Sequence, residues 1–560
     1  MKRVRQIFPQ LMMLSLLAGV LSSCDFEQLA EQSGGSGSRP LTEIEIAYDP
    51  NKARLFEELV SSFNSRAAVK VNATELEIPD MLEAVSSGDY VAVSPDSALW
   101  LESFDKAWKE ANPQASSIIG TTIRYATTPV VIATWRGREG ELAAGGDGGW
   151  AALLERSSRD PGFRWSHGSP RASASGMLAL TAEFYAGAKK TYGLTKADAD
   201  REEVRRYVAE IEKTVARYGG ESDAALVRYL LSEGEKGLSA VVMPEASAFD
   251  FNQRSRGAKL YAIHPSEGTL MLDHPLVLLE TADLTPDQRR AFLEFSRFVT
   301  SSEGQAIVVK HGYRPVELAY DMEKSPLKGA GLSTQQPRLL QMPASGILAQ
   351  LEASWASGLK RRANIILVMD VSGSMVGEKL RRAKEAMASF IKQVPSDEER
   401  VGLVSFSNDF REVVPLGRLG DNRQQLLART DQLVAEGNTA FFYAVWRAQG
   451  LLAQRKDPER INVVVAMTDG QENYSQNFSQ RNIPGVGPVP QITGANAKDV
   501  NPLVTALKVN GSSTLVFAVA YGADADVSAL SSLAGAFGGQ AYQADPGTIR
   551  KLYELISHNF

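Results

Sequence analysis

The chain has 560 residues, room for three or four domains at about 150 residues each, and its 44% hydrophobic and 22% charged content excludes a disordered or collagen-like polymer. Sixty Lys and Arg stand against 66 Asp and Glu, a net charge of −6, so no broad basic field exists for a phosphate backbone and no nucleic acid partner is expected. A single Cys excludes a disulfide framework or a Cys-based zinc site, and the five His (positions 167, 264, 274, 311 and 558) never fall at the i, i+4 spacing of a helical zinc pair.

Lys2, Arg3 and Arg5 precede an apolar stretch from Ile7 to Leu21 that Pro9 and Gln10 interrupt. A bilayer span needs about 20 apolar residues, so residues 1–23 read as a signal peptide. Leu21-Ser22-Ser23-Cys24 resembles the lipobox of bacterial lipoproteins, and the one Cys of the chain falls there. The resemblance implies acylation of Cys24 and a membrane-anchored protein on the extracytoplasmic side, in the periplasm or at the cell surface. Asp25 is similar to the inner-membrane retention signal of some Gram-negative bacteria. Residues 24–40 form the lipid anchor and a Gly/Ser-rich tether.

Residues 41–320 alternate short apolar runs with helical patterns, which predicts an α/β architecture. Strands are expected at 44–48, 91–93, 129–135 and 238–243. Helices are expected at 52–65, 173–189, 202–218, 223–232 and 286–301. The order of pieces is similar to the type 2 periplasmic solute-binding proteins, the two-lobed capture proteins of transporters. The carrying segments are 47–51 (AYDPN), 93–97 (VSPDS), 127–129 (TTP), 166–176 (SHGSPRASASG), 274–278 (HPLVL), 295–305 (FSRFVTSSEGQ) and 311–315 (HGYRP). The resemblance implies lobe one from 41–125 and 265–320, lobe two from 127–262, and a cleft between them. Ligand candidates there are Tyr48, Asp49, Ser94, Ser97, Ser169, Arg171, Ser173 and Glu245. Ser169 and Ser173 precede a helix whose free N–H groups suit an oxyanion or another compact polar solute, while Asp49 and Asp96 oppose an anion. Arg171 is open to pairing with an anion or lying in solvent, and Glu245 to lining the cleft or marking a hinge surface. His167 reads as a loop residue. An empty cleft used as a scaffold stays open.

Residues 321–361 form a connector too apolar to be a free linker, with one short helix at 348–359 around Trp355, expected to pack between the halves. Residues 362–560 then form a second α/β unit. The continuous apolar run 365–369 reads as a strand covered on both faces, followed by a helix at 378–393, strands at 401–406, 461–467 and 514–519, and helices at 501–509 and 545–557. Asp370 ends the first of these strands, with Ser372 and Ser374 in the next turn. Asp469 ends a second strand, and Thr439 lies on a loop before a helical stretch. Two carboxylates and three hydroxyls at the carboxyl edge of a sheet suit a hard cation, Mg²⁺ first, with Mn²⁺ or Ca²⁺ as alternatives.

This DxSxS…T…D set resembles the metal-ion-dependent adhesion site of von Willebrand factor A (VWA) domains, and the unit as a whole resembles their doubly wound, Rossmann-like fold. In the family the two Ser and the Thr contact the metal, and the acids act directly or through water. The resemblance implies that Asp370, Ser372, Ser374, Thr439 and Asp469 hold a divalent metal that takes an acidic group of a protein partner. Residues 473–496, an insertion after Asp469, are either a partner-contacting loop or a crossover. The expected function is that of a non-enzymatic, membrane-anchored binding lipoprotein whose first half holds or senses a small ligand. The alternatives are a substrate-capture component of an ABC-type transporter with an accessory VWA domain, or a Mg²⁺-dependent hydrolase. For the hydrolase, no nucleophile–base pair is evident.

Overall fold

A computed structural model describes residues 42–470 and 514–545, apart from 68, 143–147, 220–221, 317–321, 395, 456 and 458, together with 482–483, 487–488, 549 and 556. The signal and anchor segments, almost all of the 473–496 insertion and the predicted helices at 501–509 and 545–557 lie outside the described residues, except for isolated positions. Among the described residues no helix is long and apolar enough to cross a membrane.

The first half holds β1 (Thr42–Tyr48), β2 (Val69–Glu75), β3 (Ala92–Ser94), β4 (Ile119–Arg124), β5 (Ala126–Trp135), β6 (Trp165–Gly168), β7 (Val215–Gly219), β8 (Ala240–Pro244), β9 (Leu260–Ile263), β10 (Met271–Leu272), β11 (Pro275–Leu279) and β12 (Arg314–Pro315). They build two sheets. The first has the order β2-β1-β3-β11-β4, with β1 parallel to β2 and β3, and β11 antiparallel to β3 and β4. The second has the order β10-β5-β8-β6-β7, with β9 and β12 also on β5. The chain leaves the first sheet after β4, builds the second, and returns through β11. Two lobes follow, here called the first-sheet and second-sheet lobes.

Helix Ala53–Asn64 buries Leu55, Phe56, Leu59 and Phe63 against the first sheet, the i, i+1, i+4, i+8 pattern of one helical face. Helix Ala174–Ala188 is buried nearly all round, from Ala174 to Tyr185, because both the second sheet and the connector cover it. The segment 202–218, read from its periodicity as a single helix, is two elements. A helix runs Glu202–Lys213, and β7 begins at Val215 and pairs in parallel with β6. Thr214 ends the helix, its hydroxyl turned back onto the Ile211 carbonyl at 2.7 Å.

The connector forms helix Ser345–Ser354 and then one wide turn, Trp355–Leu359, closed by a Lys360 N–H to Trp355 carbonyl bond of 3.1 Å. Trp355 is fully buried in a hydrophobic core that runs from the second-sheet lobe into the second half. Its indole N–H donates to Glu212 Oε2 at 3.0 Å. Arg361 donates its backbone N–H to the Tyr218 hydroxyl at 3.0 Å and its guanidinium to the Val215 carbonyl at 2.7 Å.

The second half is a six-stranded sheet of β13 (Arg362–Asp370), β14 (Arg400–Phe406), β15 (Phe410–Arg418), β16 (Arg460–Thr468), and, after the short pair β17 (Asn482–Ile483) and β18 (Gly487–Pro488), β19 (Thr514–Tyr521) and β20 (Ala541–Ala544). The order is β15-β14-β13-β16-β19-β20, all parallel except the antiparallel edge strand β15. Along β13, Ile365, Leu367 and Met369 enter one core with helix Glu378–Gln393, while Ile366 and Val368 enter another with helix Phe441–Ala453. Alternation to two apolar faces is why the strand reads as an unbroken hydrophobic run.

Candidate metal centre

The register of the parallel strands brings the carboxyl ends of β13 and β16 side by side, Met369 opposite Met467. Asp370 and Asp469 are therefore delivered to one edge of the sheet. Both are fully buried. The Asp370 carboxylate accepts the Ser372 backbone N–H on Oδ1 at 2.7 Å and the Thr468 hydroxyl on Oδ2 at 2.6 Å. Burial, reinforced by the charge of Asp469 and opposed by these hydrogen bonds, pushes its pKa up to about 6.

Ser372 and Ser374 turn their hydroxyls toward each other, 3.0 Å apart, and Ser374 Oγ donates to Asp469 Oδ1 at 2.6 Å. Thr439 comes from a loop pinned to the same turn by two backbone bonds, Gly373 N–H to the Gly437 carbonyl (2.9 Å) and Glu436 N–H to the Val371 carbonyl (2.7 Å). A Cβ built on Gly470 would stand 3.3 Å from Thr439 Oγ1 and 3.9 Å from Ser374 Oγ, so these hydroxyls crowd one point beside the end of β16. Ser374 is exposed whereas Ser372 and Thr439 are buried, which leaves the cradle open on the Ser374 side.

The structure thus brings the five predicted residues together. It adds two that the motif did not flag. Thr468 holds Asp370, and the Lys379 ammonium lies 2.7 Å from Asp469 Oδ2. Lys379 stands in the first turn of helix Glu378–Gln393, nine residues after Asp370. Two buried carboxylates, flanked by hydroxyls and backed by one lysine, fit a hard divalent cation. The donors are all oxygen, the local charge calls for a cation, and the exposed side leaves room for water or an outside group.

The candidates in the first half are more dispersed. Asp49 caps the turn after β1, accepting the Asn51 N–H at 2.8 Å, and Tyr48 stacks on Phe56 inside the first-sheet core, with ring centroids 4.8 Å apart. Ser94 Oγ accepts from Lys52 Nζ at 3.0 Å and donates to the Pro275 carbonyl at 2.8 Å, and Ser97 caps the next turn through the Leu99 N–H. Ser169 starts the turn into helix Ala174–Ala188 and Ser173 caps that helix through the Gly176 N–H at 3.2 Å. Arg171 is paired with Glu352 of the connector helix at 3.1 Å. Glu245 is held on both oxygens by Arg314 and on one by His264.

Where the two lobes meet, Ser222 donates to Glu77 Oε1 at 3.0 Å and the Ala224 N–H to Asn51 Oδ1 at 2.7 Å. A cavity of about 80 Å³ remains beside Asn51, Ala224 and Asp250. Acids dominate this junction. Burial and the charges of Asp96 and Glu77 raise Asp49 well above the usual carboxylate range. Burial lifts both Glu77 and Asp223 to about 7 and pulls Lys52 down to about 8.

Residues 44–314 match the family of bacterial extracellular solute-binding proteins, and residues 365–471 match the von Willebrand factor type A domain. A von Willebrand factor A domain-containing protein of Dictyostelium discoideum is 28% identical over 114 residues, which is 20% of this chain and only 13% of that relative's length. Among solved structures, the sulfate-binding protein SubI from Mycobacterium tuberculosis H37Rv is 15% identical at a TM-score of 0.38, covering 50% of this chain and 88% of that one. A von Willebrand factor type A protein from Catenulispora acidiphila is 20% identical at a TM-score of 0.29, covering 36% of this chain and 43% of its own.

Proposed function

We propose that this chain, in which a bacterial extracellular solute-binding domain precedes a von Willebrand factor A domain, works as a lipid-anchored extracytoplasmic binding protein that grips an acidic group of a protein partner through a divalent metal. The single observation that carries this reading is the gathering of Asp370, Ser372, Ser374, Thr439 and Asp469 around one point at an open sheet edge. Held by these residues, Mg²⁺ supplies an electrophilic position to which an outside carboxylate binds. Val376 and Val434, 67% and 72% exposed, stand on the loops that carry Ser374 and Thr439 and give the rim an apolar contact surface suited to protein rather than to a small ion pair.

The solute-binding domain holds or senses a small ligand between its lobes. The acids at that junction, Asp49, Glu77, Asp96 and Asp223, disfavour a free multivalent oxyanion and favour a cationic or hydrogen-bond-donating solute. Binding rather than turnover is the proposed role.

Isothermal calorimetry tests the metal site. Asp370→Ala is expected to abolish Mg²⁺ binding with the circular dichroism of the fold kept, because the strands around it still supply the core. Unchanged Mg²⁺ affinity would remove the assignment. Partner capture from envelope extract is expected to vanish in EDTA and in Asp370→Ala alike. The anchor rests on Cys24, so Cys24→Ser is expected to lose fatty-acid labelling, and equal labelling of both proteins would refute it.

A further inference from the structure

A second cluster of donor atoms lies far from the cradle in sequence, inside the second-sheet lobe. His167 sits in β6 rather than in the loop its sequence suggested, Glu183 in helix Ala174–Ala188, and Glu212 next to the end of helix Glu202–Lys213. All three side chains are completely buried. One donor atom from each lies within 4.8 Å of the others, and His167 Nε2 is 3.4 Å from Glu212 Oε1.

Glu212 Oε2 is satisfied by the Tyr218 hydroxyl at 2.7 Å and the Trp355 indole N–H at 3.0 Å. Among the described residues, Glu212 Oε1, both oxygens of Glu183 and both ring nitrogens of His167 have no well-aligned hydrogen bond, and the contacts these atoms make with polar groups are with one another. Outside the cluster they meet aromatic rings, Trp165 stacked on the His167 ring at 5.6 Å and Tyr218 edge-on at 5.2 Å, and within it His167 and Glu183 both face Glu212. A buried polar group left unpaired costs about 1–3 kcal/mol, and a carboxylate more. A fold that assembles three from separate elements needs something to offset that cost.

We propose that His167, Glu183 and Glu212 bind one divalent transition-metal ion, Zn²⁺ by preference. One imidazole nitrogen, the two Glu183 oxygens and Glu212 Oε1 make four donors, the usual number for Zn²⁺. Two carboxylates neutralise the dication in a dry interior. An imidazole among the ligands favours zinc over Mg²⁺ or Ca²⁺, which take oxygen shells. Tyr218 and Trp355, bonded to the other oxygen of Glu212, are outer partners of the kind that fix a ligating carboxylate in place. The site does not depend on the function proposed for the cradle. It lies where the connector's Trp355 docks, so the ion ties the solute-binding domain to the segment leading into the second half.

The test uses the full chain, produced with ZnCl₂ and then dialysed in excess Mg²⁺ so that the all-oxygen cradle keeps its hard ion. Plasma mass spectrometry is expected to find about one zinc per chain, and zinc-edge X-ray absorption a shell of nitrogen and oxygen donors at about 2.0–2.2 Å with the outer-shell scattering of one imidazole ring. Glu183→Gln, nearly the same shape, is expected to lose that zinc. A folded wild-type chain without zinc overturns the proposal, in favour of a proton shared between the two carboxyls. Zinc retained in full by Glu183→Gln, or an absorption spectrum without imidazole scattering, overturns it as well. The absorption measurement needs no variant, so it decides even if Glu183→Gln fails to fold.

Discussion

Asp469 meets the Ser374 hydroxyl on one oxygen and the Lys379 ammonium on the other. A cation entering the cradle meets the lysine charge at close range. Removing it with Lys379→Met is expected to tighten Mg²⁺ binding by at least about fivefold, since unit charges about 4 Å apart repel by ~1 kcal/mol even at the dielectric of bulk water. Calorimetry checks this, and weaker binding in the variant would mean that Lys379 positions Asp469 instead of competing for it. The five cradle residues were legible because their chemistry is bound to short spacings after two apolar runs. Lys379 and Thr468 were not, since a lysine in a first helical turn and a threonine at a strand end look ordinary until the fold places them against a carboxylate. For the same reason His167, Glu183 and Glu212, spread over 46 positions, formed no motif.

At the scale of elements, the sequence was clearest where burial is two-sided and least clear where a helix gives way to a strand. Val204, Val208, Ile211, Val215 and Tyr218 keep intervals of four, three, four and three, so the helical period runs on through a junction that the backbone does not honour. Pairing of β7 with β6 decides the matter, a long-range contact invisible to local periodicity. Helix Ala174–Ala188 makes the opposite point, because its start is set by one glycine. A Cβ on Gly176 would fall 2.1 Å from the Gly168 carbonyl oxygen, a backbone atom that cannot swing aside. Gly176→Ala is therefore expected to cost roughly 2–4 kcal/mol, read as a lower denaturant midpoint. An unshifted midpoint would show that the helix start slides without penalty.

For the whole molecule, the junction between the lobes is expected to respond to pH. Glu77 belongs to the first-sheet lobe and Asp223 to the second, and burial raises both to about 7. Around Glu77 stand Ser222, Arg228, Glu75 and Asp80, and around Asp223 stand Ser175, Asp96 and Glu77, so like charges outnumber the one arginine. Carboxyls whose pKa is raised by burial at this junction stabilise the lobe contact in full below the ordinary carboxylate value, and that stabilisation is lost as pH rises through about 7. Small-angle scattering is expected to show a more compact first half near pH 6 than near pH 8. Equal profiles, or opening on acidification, would reject the assignment. Glu77→Gln is expected to flatten the dependence.

Arg361 is clamped to Val215 and Tyr218 of the second-sheet lobe immediately before β13 begins, and Asp370 ends that strand nine residues on. At about 3.3 Å per residue, β13 is a spar of about 30 Å with one end bolted to the lobe and the other carrying the cradle. The lobe and the cradle therefore share one frame of reference. When the first-sheet lobe swings, a probe on the cradle rim keeps its distance to the second-sheet lobe while its distance to the first changes.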